Sequence, residues 1–477
     1  MQILRPLHRE RLHHLLILGV FAPLVLSCAW ADPAATSPQP PVAKTVAKAK
    51  PATAPKKSVA SKASASTSTT DAPPQPPVTQ LPLVLVTAAT RETQPVATTA
   101  STATVLTRQD LEDQKFTTVS DALSSVPGLS VVTSGNPGAQ TSVFIHGLDS
   151  RDSLVTVDGR RQPPGLTGFD DNFANLTLDN VDQVEVVRTP VSSSNGGSAM
   201  GGVINVVTLS GKGLIAPQSS ASFEAGSFNT YRENIQSRGT AGNFDYAVSA
   251  SRQDSVYPAL SPGTPGPFGA PGFTGQADQY RNTGYRGNFG YQVTPDIYLD
   301  LHTTYNNAYT SSPGEYLFPD PTANLTTEQW DISPEITWKV TDFYTTRLYY
   351  ARDQVRLDSQ DPYETNLYRY TYFEFPQNLQ TRTQINTNSV DWQNDFQIAR
   401  HWTLSAGVQS DDSSYYIYDD ELGEKTLQGD RRNIGGFLSS QWQPLRGLNI
   451  FTSGRYDSYN QFAGAFSWRQ GVSYTVA

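Results

Sequence analysis

"NGGSAMGGVINVVT", Asn195 to Thr208, places four glycines in eight positions and then runs into an apolar stretch. A phosphate loop of the Walker type needs a lysine and a hydroxyl after its glycines, at the opening of a helix. Here the glycines lead into Val203-Ile204-Asn205-Val206-Val207, a β-branched run that favours a strand. No Gly-Lys-Ser/Thr follows, and no acidic residue opens a dinucleotide fold. Glycine tolerates positive φ and close backbone approach, so a tight reversal between packed strands accounts for the spacing. The stretch reads as a turn into a strand.

Around it, from about Arg91 to Gly211, the chain has the pattern of a compact mixed α/β domain. "TRQDLEDQKFTTVSDALSSV" predicts two short helices, with Thr107 and either Thr118 or Ser120 as N-caps. "TSVFIHG", "LVTVDG" and "VDQVEVVR" are short β-branched runs punctuated by glycine or turn residues and predict strands.

From about Ser219 the composition changes. All 23 tyrosines lie at or after Tyr231, and the hydrophobic period becomes two. Phe244, Tyr246, Val248 and Ala250 alternate with polar or small residues, as do Ile297, Leu299 and Leu301, and Trp402, Leu404, Ala406 and Val408. One face of each strand is apolar and the other polar or small. Short turns at 241–243, 295–296, 341–342, 400–401 and 445–447 alternate with longer Pro-, Gly-, Asp- and Tyr-rich stretches. Amphipathic strands of about ten residues with such loop asymmetry are the signature of an outer-membrane β-barrel. A soluble sandwich or solenoid, the alternative, rarely keeps that asymmetry beside so many aromatic residues.

The N-terminal part differs again. Arg5, Arg9 and Arg11 precede the apolar Leu15 to Leu26, and small residues flank a cleavage point after Ala31, which predicts an export signal over 1–31. The alternative is lipid modification at Cys28, the only cysteine. Cleavage at Ala31 removes that thiol, so disulfide scaffolds and thiolate metal sites are excluded from the mature chain. It also removes three arginines and one glutamate, which takes the formal charge from −9 to −11 and argues against nucleic acid as a partner. Residues 32–80 are rich in Ala, Pro, Ser, Thr and Lys without one aromatic residue, and predict a disordered tether.

"VSDALSSVPGLSVV", "SVFIHGLDSRDSLVTVDG" and "VDQVEVVRTPVSSSNGGSAMGGVINVVT" together resemble the plug domain of TonB-dependent outer-membrane receptors. "FEAGSFNTYRENIQSRGTAGNFDYAVSASRQDS" is similar to that family's first barrel strands, so the resemblance runs from about Leu83 to the C-terminus. Within the family the cobalamin receptors look closest, and ferric-siderophore receptors share most of the motifs. This chain departs from the usual pattern at His146 (Arg in the family), Thr189 (Gly) and Asn195-Gly196 (Tyr-Gly). Those positions bear on plug–barrel contacts and turn geometry.

The resemblance implies an α/β plug over 92–212 followed by antiparallel transmembrane barrel strands over 213–477, in the outer membrane of a Gram-negative-type envelope. It implies a TonB box within 81–91, best matched by Leu83, Val84, Leu85, Val86 and Thr87, that pairs with TonB by strand addition. The alternative is that this segment is simply the first strand of the plug. The other implied partners are outer-membrane lipid, the barrel-assembly machinery and a metal-chelate ligand, with no resident cofactor. Ligand would be met by plug loops containing Ser134, Asn136 and Gln140, and Gln162, Leu166, Phe169 and Asp170, Gly/Pro-rich as exposed contact loops are. Glu185 and Arg188 are candidates for ion pairs with the barrel lining, ordinary solvated strand charges being the alternative.

"SDDSSYYIYDDE" offers calcium ligands in Asp411, Asp412, Asp419 and Asp420, or else a solvated acidic loop. His146, His302 and His401 are isolated, and neither a nucleophile elbow nor an acid–base set occurs, so no enzyme is expected. About 12 strands are expected where the family has 22. Strands about 4.8 Å apart and tilted by about 40° close 12 into a diameter of roughly 24 Å and 22 into roughly 43 Å. A plug about 35 Å across fits only the larger barrel. The expectation is therefore a fragment, a truncated frame or one part of a split receptor. Active import of cobalamin or a ferric siderophore is the leading function, with a passive pore or a non-functional remnant as alternatives.

Overall fold

The computed structural model describes residues 84–162, 173–257, 278–311, 314–315, 318–319, 323–361, 379–420 and 422–475. The expected signal and tether lie outside these residues.

The plug begins with β1 (Leu85–Val86), which pairs antiparallel with β2 (Gln94–Pro95). Its main sheet is built from β3 (Ala103–Thr107), β6 (Ser153–Val157), β7 (Arg160–Arg161), β8 (Val181–Val187) and β9 (Gly202–Thr208) in the order β3-β8-β9-β6-β7. Only β6 and β9 run parallel; β4 (Leu129–Thr133) and β5 (Thr141–Ile145) form a separate hairpin. The two expected helices are α1 (Arg108–Asp113) and α2 (Val119–Ser124). Thr107 and Thr118 cap them, each in a reciprocal box with the aspartate three residues on, Asp110 and Asp121.

Leu106, Leu111, Val119, Leu123, Val184 and Ile204 are among the side chains of the main core on one side of the sheet. A second cluster holds Val86, Ala88, Leu154, Val187, Val191 and Val203. The β8 strand is therefore buried on both faces, as a central strand should be.

The glycine stretch behaves as a turn. The short helix α3 (Ser192–Asn195) and a 3₁₀ turn over Gly197–Ala199 lead into β9. Gly202 has φ of 139°, and a Cβ there would stand 2.0 Å from the Val187 carbonyl oxygen. Only glycine lets β9 start that close to β8.

Beyond the plug lies one antiparallel sheet of twelve strands. These are β10 (Gln218–Gly226), β11 (Thr230–Ala241), β12 (Phe244–Tyr257), β13 (Asp278–Thr294), β14 (Ile297–Ser311), β17 (Asn324–Thr341), β18 (Tyr344–Asp361), β19 (Leu379–Ala399), β20 (Trp402–Asp419), β21 (Glu424–Leu445), β22 (Leu448–Tyr459) and β23 (Ala465–Tyr474). A two-stranded ribbon, β15 (Gly314–Glu315) with β16 (Phe318–Pro319), lies between β14 and β17 in the chain. The sheet order is sequential from β10 to β23, and those two strands are its edges.

The period-two reading fixes the faces. Val248, Leu299, Val408 and Leu438 point away from the plug, whereas Asp245, Ser333, Asp391, Ser405 and Arg455 are buried on the inner side. Trp338, Phe343, Trp402 and Trp442 stand exposed beside the short turns, with Trp402 and Trp442 6.1 Å apart across β20 and β21. Apolar outside, polar inside and aromatic at the rim is the pattern of a strand wall in lipid. Among the described residues no helix is long and apolar enough to cross a membrane.

Candidate functional site: the N-terminal segment and the plug–barrel interface

The segment matched to the TonB box is docked. Leu85 is exposed, while Val86 is fully buried in the second core cluster. The backbone beyond it is held by side chains. Glu185 Oε2 accepts from the amides of Thr87 at 3.0 Å and Ala88 at 2.9 Å. Gln183 donates to the Leu85 carbonyl at 3.3 Å, and Asn195 donates to the Ala88 carbonyl at 3.2 Å. Asn195, one of the departures from the family pattern, thus contributes a contact to this segment. Val84 precedes the short strand, and Leu83 lies outside the described residues.

Glu185 and Arg188 do not pair with the barrel, which corrects the sequence expectation. The Glu185 carboxylate also accepts from Gln183 at 2.8 Å and Asn205 at 3.1 Å, all within the plug. Burial pushes its pKa up and outweighs these hydrogen bonds. Arg188 donates to the Pro127 carbonyl and, at 3.0 Å, to the Thr104 hydroxyl. Both lie on β8 or at its end, and β8 is central in the plug sheet, so neither reaches the wall.

Other residues make the interface. Arg91 meets Asp391 of β19 at 2.5 Å and stacks over Phe437 at 4.8 Å. Glu92 accepts from Ser405, and Gln94 from Gln441 at 2.6 Å. The β6–β7 hairpin turns at Asp158-Gly159, with φ of 51° and 76°, the two-residue geometry that Asp-Gly favours. It aims a row of charges at the wall: Asp158 at His302 (3.3 Å), Arg160 at Glu335 (2.7 Å) and Arg161 at Asp411 (3.3 Å). His302 also faces Asp300 at 2.8 Å. Arg232 of β11 meets Asp179, and Arg469 of β23 donates to Ala100 and Ser101.

Burial and charge set the plug-side titrations. Burial lowers the Arg91 pKa, but Asp391, together with Tyr349 and Asp395, more than restores it and the net shift is upward. Burial lifts Glu92 to about 6 against the opposing Ser405 hydrogen bond. Asp158 goes the other way: burial would raise it, yet His302, Arg160 and Thr208 hold it at about 2.

The expected ligand loops divide. Ser134 closes its loop by donating its amide to the Gln140 carbonyl at 3.0 Å, and Asn136 donates to Asp278 of the wall. Gln162 accepts from Gln329 of β17 at 3.3 Å. Leu166, Phe169 and Asp170 lie outside the described residues.

The four aspartates offered for calcium are not brought together, which is a second correction. The stretch is strand β20 and its end rather than a loop, so successive side chains face opposite ways. Asp411 points inward to Arg161 and Ser389; Asp412 points outward to Arg432 at 2.9 Å. Asp419 accepts from the Leu422 amide, and Asp420 stands 3.9 Å from Arg382.

Sequence reasoning overlooked Arg91, Glu92, Asp158, Arg160 and Arg161. The Asp-Gly turn followed by two arginines was the available signal for the hairpin row.

Comparison with known proteins agrees with this architecture. Residues 95–203 match the TonB-dependent Receptor Plug Domain family. The chain is 24% identical over 386 residues to the Vitamin B12 transporter BtuB of Vibrio vulnificus (strain CMCP6), covering 78% of this chain and 57% of that one. Pseudomonas aeruginosa FpvA, solved with heterologous pyoverdines, superposes with a TM-score of 0.67 at 16% identity, over 82% of this chain and 57% of that one. The alcaligin outer-membrane receptor FauA of Bordetella pertussis does so with a TM-score of 0.63 at 18% identity, over 82% and 63%. This chain thus spans somewhat more than half the length of the proteins it matches. Those proteins are a transporter and receptors, not enzymes. Residues 95–203 are thus a TonB-dependent receptor plug domain, and with the polar-lined strand wall behind it the chain has the architecture of the outer-membrane receptors it matches.

Proposed function

We propose that the chain serves TonB-dependent import of a scarce metal chelate, cobalamin or a ferric siderophore, across the outer membrane. The observation that carries this reading is the segment Val84 to Ala88. It is a short stretch, extended at Leu85–Val86 and outside the main plug sheet, held by one two-residue strand, the buried Val86 and Ala88 and a few side-chain hydrogen bonds. A short extended backbone that is not part of the main sheet can be exchanged onto the sheet edge of an energy-transducing partner. The matched transporter is named for vitamin B12 and the matched receptors for pyoverdine and alcaligin, which supports a chelate as cargo. Ligand would enter over the 134–140 and 162–173 loops. Outer-membrane lipid and the barrel-assembly machinery complete the proposed partners.

The test is growth of receptor-deleted cells supplied with one chelate at a time and expressing this chain, with and without TonB. Rescue by one chelate that depends on TonB is expected. Uptake that persists without TonB would replace this reading with a passive pore, and rescue by none would overturn it.

A further inference from the structure

The hydrogen bonds on Thr87 and Ala88 do not end at Glu185. The same Oε2 atom accepts from Asn205 Nδ2 at 3.1 Å, and Asn205 is 2% exposed on the adjacent strand β9. Its other side-chain atom, Oδ1, accepts from the Gly159 amide at 3.0 Å and the Thr156 hydroxyl at 2.8 Å. Gly159 sits in the Asp158-Gly159 turn, and Asp158 is the residue that meets His302 on the barrel wall. Asp158 is itself fixed by the amide and hydroxyl of Thr208, at 2.8 and 2.7 Å. An unbroken line of contacts, partly buried at the turn and buried at Asn205 and Glu185, therefore runs from β14 of the wall, through the hairpin turn and two side chains, to the backbone beside β1.

We propose that Glu185 and Asn205 are positioning residues that clasp the 87–88 backbone and couple its release to the position of the Asp158-Gly159 turn. The physical reason lies in how few acceptors the site holds. Asn205 spends its amide nitrogen on Glu185 and its carbonyl oxygen on the turn, so a displaced turn frees the amide to rotate. Glu185 then loses a donor in a site where an unpaired polar atom is costly. On Oε2 the 87–88 amides are the remaining bonds, Gln183 being held by Oε1, and they belong to the segment that must leave. Spatial continuity is not yet coupling, and a double-mutant cycle measures it directly. The inference rests on the import reading only for what release accomplishes; the clasp itself is testable without any partner.

The experiment is hydrogen exchange on the full chain purified from outer membranes, following the peptide that covers 84–91. Asn205→Ala touches neither Thr87 nor Ala88, yet it is expected to speed their exchange by about tenfold, the worth of a hydrogen bond or two. Glu185→Ala should match that rate, and the double variant should add little. Peptides from α2 and from the β4–β5 hairpin should keep their protection, and Glu185→Gln, which retains an acceptor oxygen, should regain most of it at 84–91. An unchanged 84–91 rate in either alanine variant overturns the proposal, as does acceleration spread over the whole plug. Capture of the wild-type chain on immobilised TonB is run alongside, and its failure would count against the import reading while leaving the exchange result to judge the clasp.

Discussion

Arg91 and Asp391 are 300 residues apart in the chain and 2.5 Å apart in space. Arg91 lies three residues past the clasped Ala88, and Asp391 is on the inner face of β19. The Asp391 side chain is 1% exposed and that of Arg91 is 9%. One ion pair thus ties the end of the docked N-terminal segment to the wall.

Removing one partner strands the other charge in a dry site, a loss of about 3–5 kcal/mol for buried pairs. Arg91→Ala and Asp391→Asn are each expected to expose the 84–95 segment to limited proteolysis, and the double variant to be less affected than the two losses summed. Arg91→Lys should not restore protection, because a lysine cannot reproduce the planar stacking over Phe437. Equal protection in wild type and Asp391→Asn would show that the pair carries no docking energy.

Glu92 gives the interface a pH dependence. Its folded pKa of about 6 lies above the ordinary 4.5, so burial favours the protonated acid. The contribution is therefore fully present below about 4.5 and is lost as pH rises through about 6. One and a half pKa units correspond to about 2 kcal/mol. Exchange or proteolysis at 84–95 should increase between pH 4.5 and 6.5, and Glu92→Gln should flatten that profile. Asp158 acts in the opposite sense: its pKa of about 2 lies below the ordinary 3.8, so its contribution is present above 3.8 and fades towards pH 2.

Gly202→Ala should cripple the plug. The new Cβ would fall 2.0 Å from the Val187 carbonyl oxygen at a φ that alanine resists, so β9 must part from β8. A loss of more than about 3 kcal/mol is expected, read as a lowered urea midpoint for plug unfolding. Gly147→Ala, at positive φ but in open space, should cost only about 1 kcal/mol.

Leu438→Arg probes the lipid face. Leu438 is 54% exposed on the outer side of β21 and lies among Ala406 and Gly454 on neighbouring strands. A charge there should destabilise the wall by about 2–4 kcal/mol in bilayers. Ser439→Arg, one residue on, faces the plug and should disturb docking instead. Equal effects on bilayer stability would contradict the assignment of faces.

Local chemistry made much of this legible in advance. Thr107 and Thr118 cap their helices because a hydroxyl followed three residues later by a carboxylate satisfies end amides wherever it occurs. The glycine stretch reads as a turn because its continuation is β-branched, and the period-two alternation assigns Val408 and Gln409 to opposite faces before any contact is known. The calcium reading of Asp411 and Asp412 takes their stretch for a loop; as part of β20 it must point these adjacent residues apart.

Partner choice was not legible. Glu185 and Arg161 are both ionisable residues on plug strands, and nothing adjacent in sequence says that one clasps the 87–88 amides while the other meets Asp411. The difference comes from sheet order: β8 is central and shielded by the second core cluster, whereas β7 is the edge strand turned to the wall. Strands, caps, turns and faces could be read from the chain because each depends on residues within a few positions of one another. Which charges meet across 300 residues depends on how two sheets come to lie against each other, and that is settled in the folded molecule.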